Sequence, residues 1–97
     1  MPFVQVIEYE TDRPDEIRAL GDEWSREQPA EGPPVRVIMS QDRDNPGHFM
    51  MVVEFDSYEQ AMKNNDRPET GAYAERMRRL ATTEPRYVNL DVTYQEA

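Results

Sequence analysis

The chain has 97 residues, which allows a single domain of residues 1–97, and its 37% hydrophobic residues are enough for a small core. It carries 20 acidic residues against 11 Lys and Arg, so its formal net charge is −9 and a nucleic acid partner is not expected. The absence of Cys excludes disulfides, thiolate metal sites and thiol catalysis, and no apolar run approaches the roughly 20 residues that span a bilayer.

The N-terminal third of the chain predicts a strand followed by an amphipathic helix. Phe3–Glu10 is rich in β-branched and aromatic residues, which favours a strand. A helix is expected from Pro14 to about Gln28. Its apolar residues recur three or four positions apart and form one stripe, which consists of Ile17, Leu20, Gly21 and Trp24. Gly21 in this stripe indicates either close packing of the helix or the floor of a pocket.

Two further strands follow, joined by a tight turn. Residues 29–34 have the composition of a loop, and residues 35–40 and 48–55 are β-rich runs. Between these runs, residues 45–47 (Asn-Pro-Gly) favour a turn with Pro at its second position and Gly at a positive φ. We therefore expect the second and third strands to form an antiparallel hairpin.

The C-terminal half predicts an interrupted helix and a last strand. Ser57 and Gln60 fit a capping box at the start of the helix. Pro68 should interrupt this helix, because it lacks an amide hydrogen and disfavours helical angles at the residue before it. A second helical piece is expected from Pro68 to about Leu80, and the last strand at residues 86–94.

The resulting order, β-α-β-β-α-β, predicts an α+β ferredoxin-like fold in which the helices cover one face of a four-stranded antiparallel sheet. Both faces of the strands carry apolar residues, because Val6, Ile38 and Val52 alternate with apolar neighbours. Large exposed apolar patches are rare on monomers, so we predict a homodimer in which two sheets pack together. The alternative is a monomer in which residues such as Tyr9 and Ile38 stay exposed.

Three segments carry a family resemblance, namely residues 42–47 (DRDNPG), 53–59 (VEFDSYE) and 68–70 (PET). With them the chain resembles the dimeric α/β-barrel superfamily over nearly its whole length, and in particular small proteins similar to antibiotic-biosynthesis monooxygenase-type domains. The resemblance implies a homodimeric barrel with a ligand cleft between helices and sheet. Members range over cofactor-independent oxygenation of phenols, haem degradation, isomerisation and no known activity, so the resemblance names no reaction.

Haem-degrading members of this superfamily have a Trp six residues before an aromatic residue and a haem-ligating His four residues after it. With Tyr73 as the aromatic residue, these positions hold Arg67 and Met77. The resemblance therefore implies no haem binding of that kind. A single histidine, His48, supplies too few ligands for a metal site, and residues 42–47 lack the later ligands of a calcium loop. We expect neither a metal nor a cofactor.

Six residues are candidates for contacting a ligand in the cleft: Trp24, Arg36, His48, Tyr58, Asn65 and Tyr73. The aromatic rings would shape the cleft, Asn65 would add polarity, and Arg36 or His48 would add charge. Each has a purely structural alternative. The rings could belong to the core, Arg36 could form a surface ion pair, and His48 could mark an exposed strand end.

Two functions remain open from the sequence. The first is a homodimer that binds a small apolar or aromatic molecule in the cleft, acting on it as a cofactor-independent monooxygenase or isomerase. The second is a non-enzymatic dimer whose cleft is filled by its own side chains and which binds a partner through its acidic surface. The N-terminal residues lack the basic segment of an export signal, so we expect a cytoplasmic protein with no membrane partner. A substrate-sized cavity lined by Trp24 and Tyr73 would favour the first function.

Overall fold

A computed structural model describes residues 2–28 and 35–96 of the chain. Its elements are β1 (Phe3–Glu10), α1 (Pro14–Arg26), β2 (Arg36–Gln41), β3 (His48–Phe55), α2 (Tyr58–Asn65), α3 (Pro68–Leu80) and β4 (Arg86–Asp91). The predicted order of strands and helices is confirmed, with the second helical region divided into α2 and α3. The last strand is shorter than expected, and the predicted loop at residues 29–34 lies outside the described residues.

The four strands form one antiparallel sheet in the order β2-β3-β1-β4, as a ferredoxin-like fold requires. In the register of the central strands, Ile7 of β1 lies between Met51 of β3 and Tyr87 of β4. Because successive side chains of a strand point to opposite sides, these three residues share one face of the sheet. The helices cover this face, which we call the helix face.

The core lies between the helix face and the helices. It contains Phe3, Ile7, Tyr9, Phe49, Met51, Val53 and Phe55 from the sheet. The helices contribute Ile17, Leu20, Ala61, Tyr73 and Met77. Tyr9 stacks on Phe49 with ring centroids 5.6 Å apart, so the suggestion that Tyr9 stays exposed is wrong. The cause is the pleat, which directs Tyr9 to the same side as Ile7.

Gly21 allows α1 to approach the sheet closely. A Cβ atom at this position would lie 3.0 Å from Sδ of Met39 on β2, which is tighter than ordinary van der Waals contact. Of the two explanations that the sequence left open for Gly21, close helix packing is therefore confirmed.

Local hydrogen bonds explain where α2 begins and how β2 turns into β3. The Gln60 amide donates to Oγ of Ser57 (3.1 Å), as the capping box predicts, but Oε1 of Gln60 accepts from the amide of Asp56 (2.6 Å), one residue before the cap. In the hairpin, the His48 amide donates to the Asn45 carbonyl (2.9 Å), which confirms the turn. The expected positive φ at Gly47 is wrong.

The opposite side of the sheet, which none of the described helices α1, α2 and α3 covers, is called here the open face. Its apolar residues are Val4, Val6, Ile38, Met50, Val52, Val88 and Leu90. Ile38 is 38% exposed and the patch continues across all four strands. Two ion pairs of 3.6 Å flank it, Arg36 with Glu54 and Arg86 with Glu8. Apolar residues on both faces of the sheet are therefore confirmed.

Candidate functional site

A cavity of about 360 Å³ lies between the helix face and the three helices. The sheet supplies a mostly apolar floor that includes Ile7, Met51, Val53 and Phe55. Ile17, Leu20 and Trp24 of α1 form one wall, and the end of α2 with the first turns of α3 forms the other. Three exposed lining residues, Asn65, Gly71 and Tyr87, mark where the cavity meets solvent.

The cavity contains three of the six residues that the sequence proposed as ligand contacts. Trp24, Asn65 and Tyr73 all line it. Trp24 comes from the apolar stripe of α1, and its indole Nε1 donates to Oγ1 of Thr70 at 3.4 Å. This bond links α1 to the start of α3 and fixes the indole at the edge of the cavity.

The structure places the other three candidates, Arg36, His48 and Tyr58, outside the cavity. Arg36 projects from the open face, where it pairs with Glu54, so the surface ion pair accounts for it. His48 begins β3 and contacts the loop before it. Tyr58 is 52% exposed at the start of α2 and packs edge-on against Phe3 with ring centroids 5.4 Å apart.

Tyr73 contributes its ring to the cavity wall, and acidic side chains lie near its hydroxyl group. The residue is only 9% exposed, and the guanidinium carbon of Arg76 lies 5.4 Å from the ring centroid. Desolvation, a hydrogen bond to the Glu27 carboxylate and the charge of Glu23 raise the pKa of Tyr73 to about 12. Tyr73 is therefore neutral near pH 7, and its hydroxyl is not a base available to a ligand.

Asn64 is a cavity residue that the sequence analysis missed. It is 7% exposed, and its Oδ1 accepts hydrogen bonds from Nη1 of Arg67 (3.4 Å) and Oγ1 of Thr70 (3.3 Å). These two donors fix the orientation of the amide, so that Nδ2 is free of partners within the described residues. No fully buried side-chain nitrogen or oxygen of those residues lacks a partner, so Nδ2 must retain accessible surface.

A sequence signal for Asn64 was present in the spacing of α2. Asn64 follows the buried Ala61 by three positions and therefore lies on the buried side of the helix, whereas the proposed Asn65 is exposed.

Gln5 is a second cavity residue that the sequence analysis missed. It is a polar residue in the otherwise apolar helix-face series of β1, and it lines the cavity with Nε2 donating to Oδ1 of Asn89 at 3.0 Å.

The acidic loop before β3 is stabilised from within. Oδ1 of Asp42 accepts from the amides of Asp44 (2.9 Å) and Asn45 (3.2 Å), and Oδ2 lies 3.1 Å from Nδ1 of His48. The Asp42 carboxylate is thus occupied with turn formation. This arrangement accounts for both His48 and the acidic residues without a ligand.

Asp42 should make stability depend on pH. Its hydrogen bonds, first from the Asp44 amide and then from His48, hold the pKa of Asp42 below its ordinary value of 3.8. A lowered folded-state pKa adds stability above the unfolded-state pKa, and this stability is lost as the pH falls through the folded-state pKa. We expect Asp42→Asn to lower the Tm at about pH 7 and to lower it by less at about pH 2, because the wild-type carboxyl takes up its proton as the pH falls.

Thermal denaturation at both pH values tests this expectation. Asp44→Asn removes one negative charge from the same loop and serves as the matched control. An equal loss of Tm for Asp42→Asn at both pH values would show that the charge of Asp42 does not stabilise the loop.

Two negative findings apply to residues 2–28 and 35–96. No group of three or more His, Cys, Asp or Glu side chains in these ranges is arranged to hold a metal ion. No helix in them is long and apolar enough to cross a bilayer.

Comparisons with known proteins give matches in structure only. No protein-family model and no curated protein matches this sequence. The Rv0793 protein of Mycobacterium tuberculosis superposes with a TM-score of 0.80 at 17% identity, covering 100% of both chains. A provisionally assigned antibiotic biosynthesis monooxygenase of Deinococcus radiodurans superposes with a TM-score of 0.78 at 14% identity, covering 100% of this chain and 97% of the other.

A third structure is SnoaB of Streptomyces nogalater, a cofactor-independent oxygenase. It superposes with a TM-score of 0.78 at 13% identity, covering 97% of this chain and 95% of SnoaB. At these identities the likeness concerns the path of the backbone. The chain therefore has the ferredoxin-like fold of the antibiotic biosynthesis monooxygenase-type proteins.

Proposed function

We propose that the protein binds a small, largely apolar aromatic molecule in the cavity and oxygenates it without a cofactor. The observation that carries this proposal is the open cavity of about 360 Å³ beneath Trp24 and Tyr73. Its volume falls in the usual range of small-molecule sites, which are mostly apolar with a few placed polar groups. The likeness of fold to SnoaB, a cofactor-independent oxygenase, supports the choice of reaction.

Asn64 is the polar group that would orient the ligand. Its Nδ2 is a donor whose direction is set by Arg67 and Thr70, so it would bind a phenolic or carbonyl oxygen of the ligand. The rings of Trp24 and Tyr73 would then contact the aromatic body of the ligand. Together these contacts would hold the reacting ring carbon in a fixed position within the cavity.

The proposed reaction needs only the substrate and dioxygen. A phenol transfers its hydroxyl hydrogen atom to dioxygen, and the resulting phenoxyl and hydroperoxyl radicals combine at a ring carbon to give a hydroperoxide. Loss of water converts that carbon to a carbonyl group. The substrate is oxidised by four electrons, one oxygen atom enters the product, and the other leaves as water.

A binding protein without turnover is the second candidate. One observation favours it, because among the described lining residues there is no His, Asp, Glu, Lys or Cys to move a proton near pH 7. The other version of a non-enzymatic protein, in which side chains fill the cleft, is disfavoured by the volume of the cavity.

We further propose that the protein is a homodimer joined through the open face. Val6, Val52 and Ile38 lie side by side on three adjacent strands of that face. An apolar patch that extends over a whole sheet is unusual on the surface of a monomer. Packing two open faces together would cover both patches at once.

Filling the cavity should abolish binding. Ala74 is half-buried and lines the cavity, so Ala74→Leu places three additional carbon atoms in it. We expect 1,5-dihydroxynaphthalene to raise the Tm of the wild type and to leave the Tm of Ala74→Leu unchanged. Ala72→Leu is the matched control, because Ala72 is exposed on the same helix and does not line the cavity.

Oxygen uptake then separates the two candidates. An enzyme would consume one dioxygen for each 1,5-dihydroxynaphthalene converted to 5-hydroxy-1,4-naphthoquinone and water, and Ala74→Leu would lose this activity. Stabilisation without oxygen uptake above the protein-free rate favours the binding protein. If neither the diol nor a panel of other phenols and quinones raises the Tm of the wild type, the proposed ligand site is wrong.

A further inference from the structure

The cavity is lined by residues without a charge. Among the described lining residues, the polar ones are amides, hydroxyls and an indole, and the rest are apolar. The two tyrosines, Tyr73 and Tyr87, both have a raised pKa through desolvation and nearby acids, so they stay neutral near pH 7. A charged ligand would therefore find no ion-pair partner on these walls.

Two arginines contact residues that line the cavity, and both already have partners. Arg67 donates to Oδ1 of Asn64 (3.4 Å) and to the Glu27 carbonyl (3.2 Å), and it forms an ion pair with the Glu69 carboxylate (3.4 Å). Arg76 lies over the Tyr73 ring and pairs with Glu23 at 3.3 Å. Neither guanidinium is available for a ligand without breaking contacts that hold the cavity wall.

Acidic side chains also lie near the cavity. Glu23 and Glu27 lie close enough to the Tyr73 hydroxyl to raise its pKa, and Glu84 acts in the same way on Tyr87. Residues 29–34 contain Glu31 and no basic residue, so this segment cannot supply a cation. The net charge of −9 adds a general repulsion of anions.

We infer that the cavity selects uncharged ligands and rejects anions, so that its substrate class is neutral aromatic alcohols, ketones and amides. Carboxylated, phosphorylated and sulfated molecules of the same shape are excluded. An anion that enters the cavity would lose its hydration shell and contact apolar side chains and amide groups instead. No cation on the described walls would compensate for the free energy lost in desolvation. This inference rests on the proposed function, because it assigns a charge class to the ligand of the same cavity.

Two probes of nearly equal shape test the inference. 6-Hydroxy-2-naphthamide and 6-hydroxy-2-naphthoate differ in charge at the group opposite the phenol. We expect calorimetric titration of the wild type near pH 7.5, at one fixed salt concentration, to show the amide binding at least about tenfold more tightly than the carboxylate. Equal affinities would overturn the inference and leave the proposed ligand site intact.

A variant with an added cation should reverse the preference. Asn65 lines the cavity and is exposed, so Asn65→Lys can be accommodated at the mouth without disturbing the core. We expect it to raise the affinity for the naphthoate, relative to that for the naphthamide, at least about tenfold. Ala72→Lys, on the exposed side of α3, adds the same charge away from the cavity and should have a much smaller effect.

The remaining outcomes also decide between explanations. If the wild type binds the naphthoate tightly and Arg67→Gln loses that affinity, Arg67 is an anion ligand and the inference is wrong. If neither probe binds the wild type, the proposed function fails, and the inference fails with it.

Discussion

Ile38→Arg is expected to convert a homodimer into a monomer. Ile38 lies on the open face opposite Val52, within the apolar patch that two copies would cover. An arginine there would place an unpaired charge in a desolvated interface, which is among the most damaging substitutions that an interface can undergo. Light scattering at micromolar concentration should give twice the mass of the chain for the wild type and the mass of one chain for the variant.

Two further variants define the surface. Ala72→Arg adds the same side chain to the exposed side of α3 and should remain dimeric. Ile7→Arg should instead disrupt folding, because Ile7 is buried on the helix face. A monomeric wild type at micromolar concentration would contradict the proposed assembly. A dimer that Ile38→Arg does not weaken would show that another surface joins the two chains.

The fold was predictable because several independent local signals agreed. The start of α1 at Pro14, the Ser57 cap and the break before Pro68 all occur where they were expected, and the strand periodicity located all four strands, although β4 ends earlier than expected. The alternation of apolar residues also separated the two faces of the sheet. It could not say which face the helices cover, and Tyr9 and Ile38 therefore could not be told apart until the pairing was known.

The candidate site was predictable mainly where a residue lay on an apolar stripe, although the polar Asn65 also lines the cavity as expected. Trp24 and Tyr73 follow helical spacing and reach the cavity for that reason. Arg36 and His48 were chosen for their chemistry, and the pleat of β2 and β3 directs both away from the helices. Asn64 was overlooked although its spacing from Ala61 places it on the buried side of α2; its role in the cavity wall became clear only from its hydrogen-bond partners.

The surroundings of the Tyr73 hydroxyl could not be predicted from the sequence. Glu27, one of the acidic residues that raise the pKa of Tyr73, follows the end of α1 and lies 46 positions before Tyr73 in the chain, so only the packing of α1 against α3 brings the two together. The helical spacing therefore placed the ring correctly, whereas the acidic surroundings of its hydroxyl became known only from the structure.

Tyr73→Phe should leave ligand binding intact. It keeps the ring in the cavity wall and removes only the hydroxyl, which lies near the acidic side chains of Glu27 and Glu23. We expect the Tm increase that 1,5-dihydroxynaphthalene produces to be the same as in the wild type. A loss of roughly tenfold or more in affinity would contradict this expectation and mean that the hydroxyl binds the ligand directly.

Tyr73→Ala should be far more destabilising than Tyr73→Phe. Truncation of a buried aromatic ring costs about 3 to 5 kcal/mol, since it removes packing and leaves a void that the surroundings fill only in part. That loss is a large share of the roughly 5 to 15 kcal/mol by which domains of this size are stable. The ring of Tyr73 contacts both the cavity and the Arg76 guanidinium, so its removal should also open the cavity wall and abolish binding.

Urea unfolding of the wild type, Tyr73→Phe and Tyr73→Ala at one protein concentration measures the difference in stability. A ligand titration at low temperature, where Tyr73→Ala remains folded, measures binding separately. If Tyr73→Ala is destabilised by less than about 1 kcal/mol, the ring does not pack as described. If it is strongly destabilised but still binds the diol as tightly as the wild type, the ligand lies elsewhere, because a site between α1, α3 and the sheet cannot survive the loss of this wall.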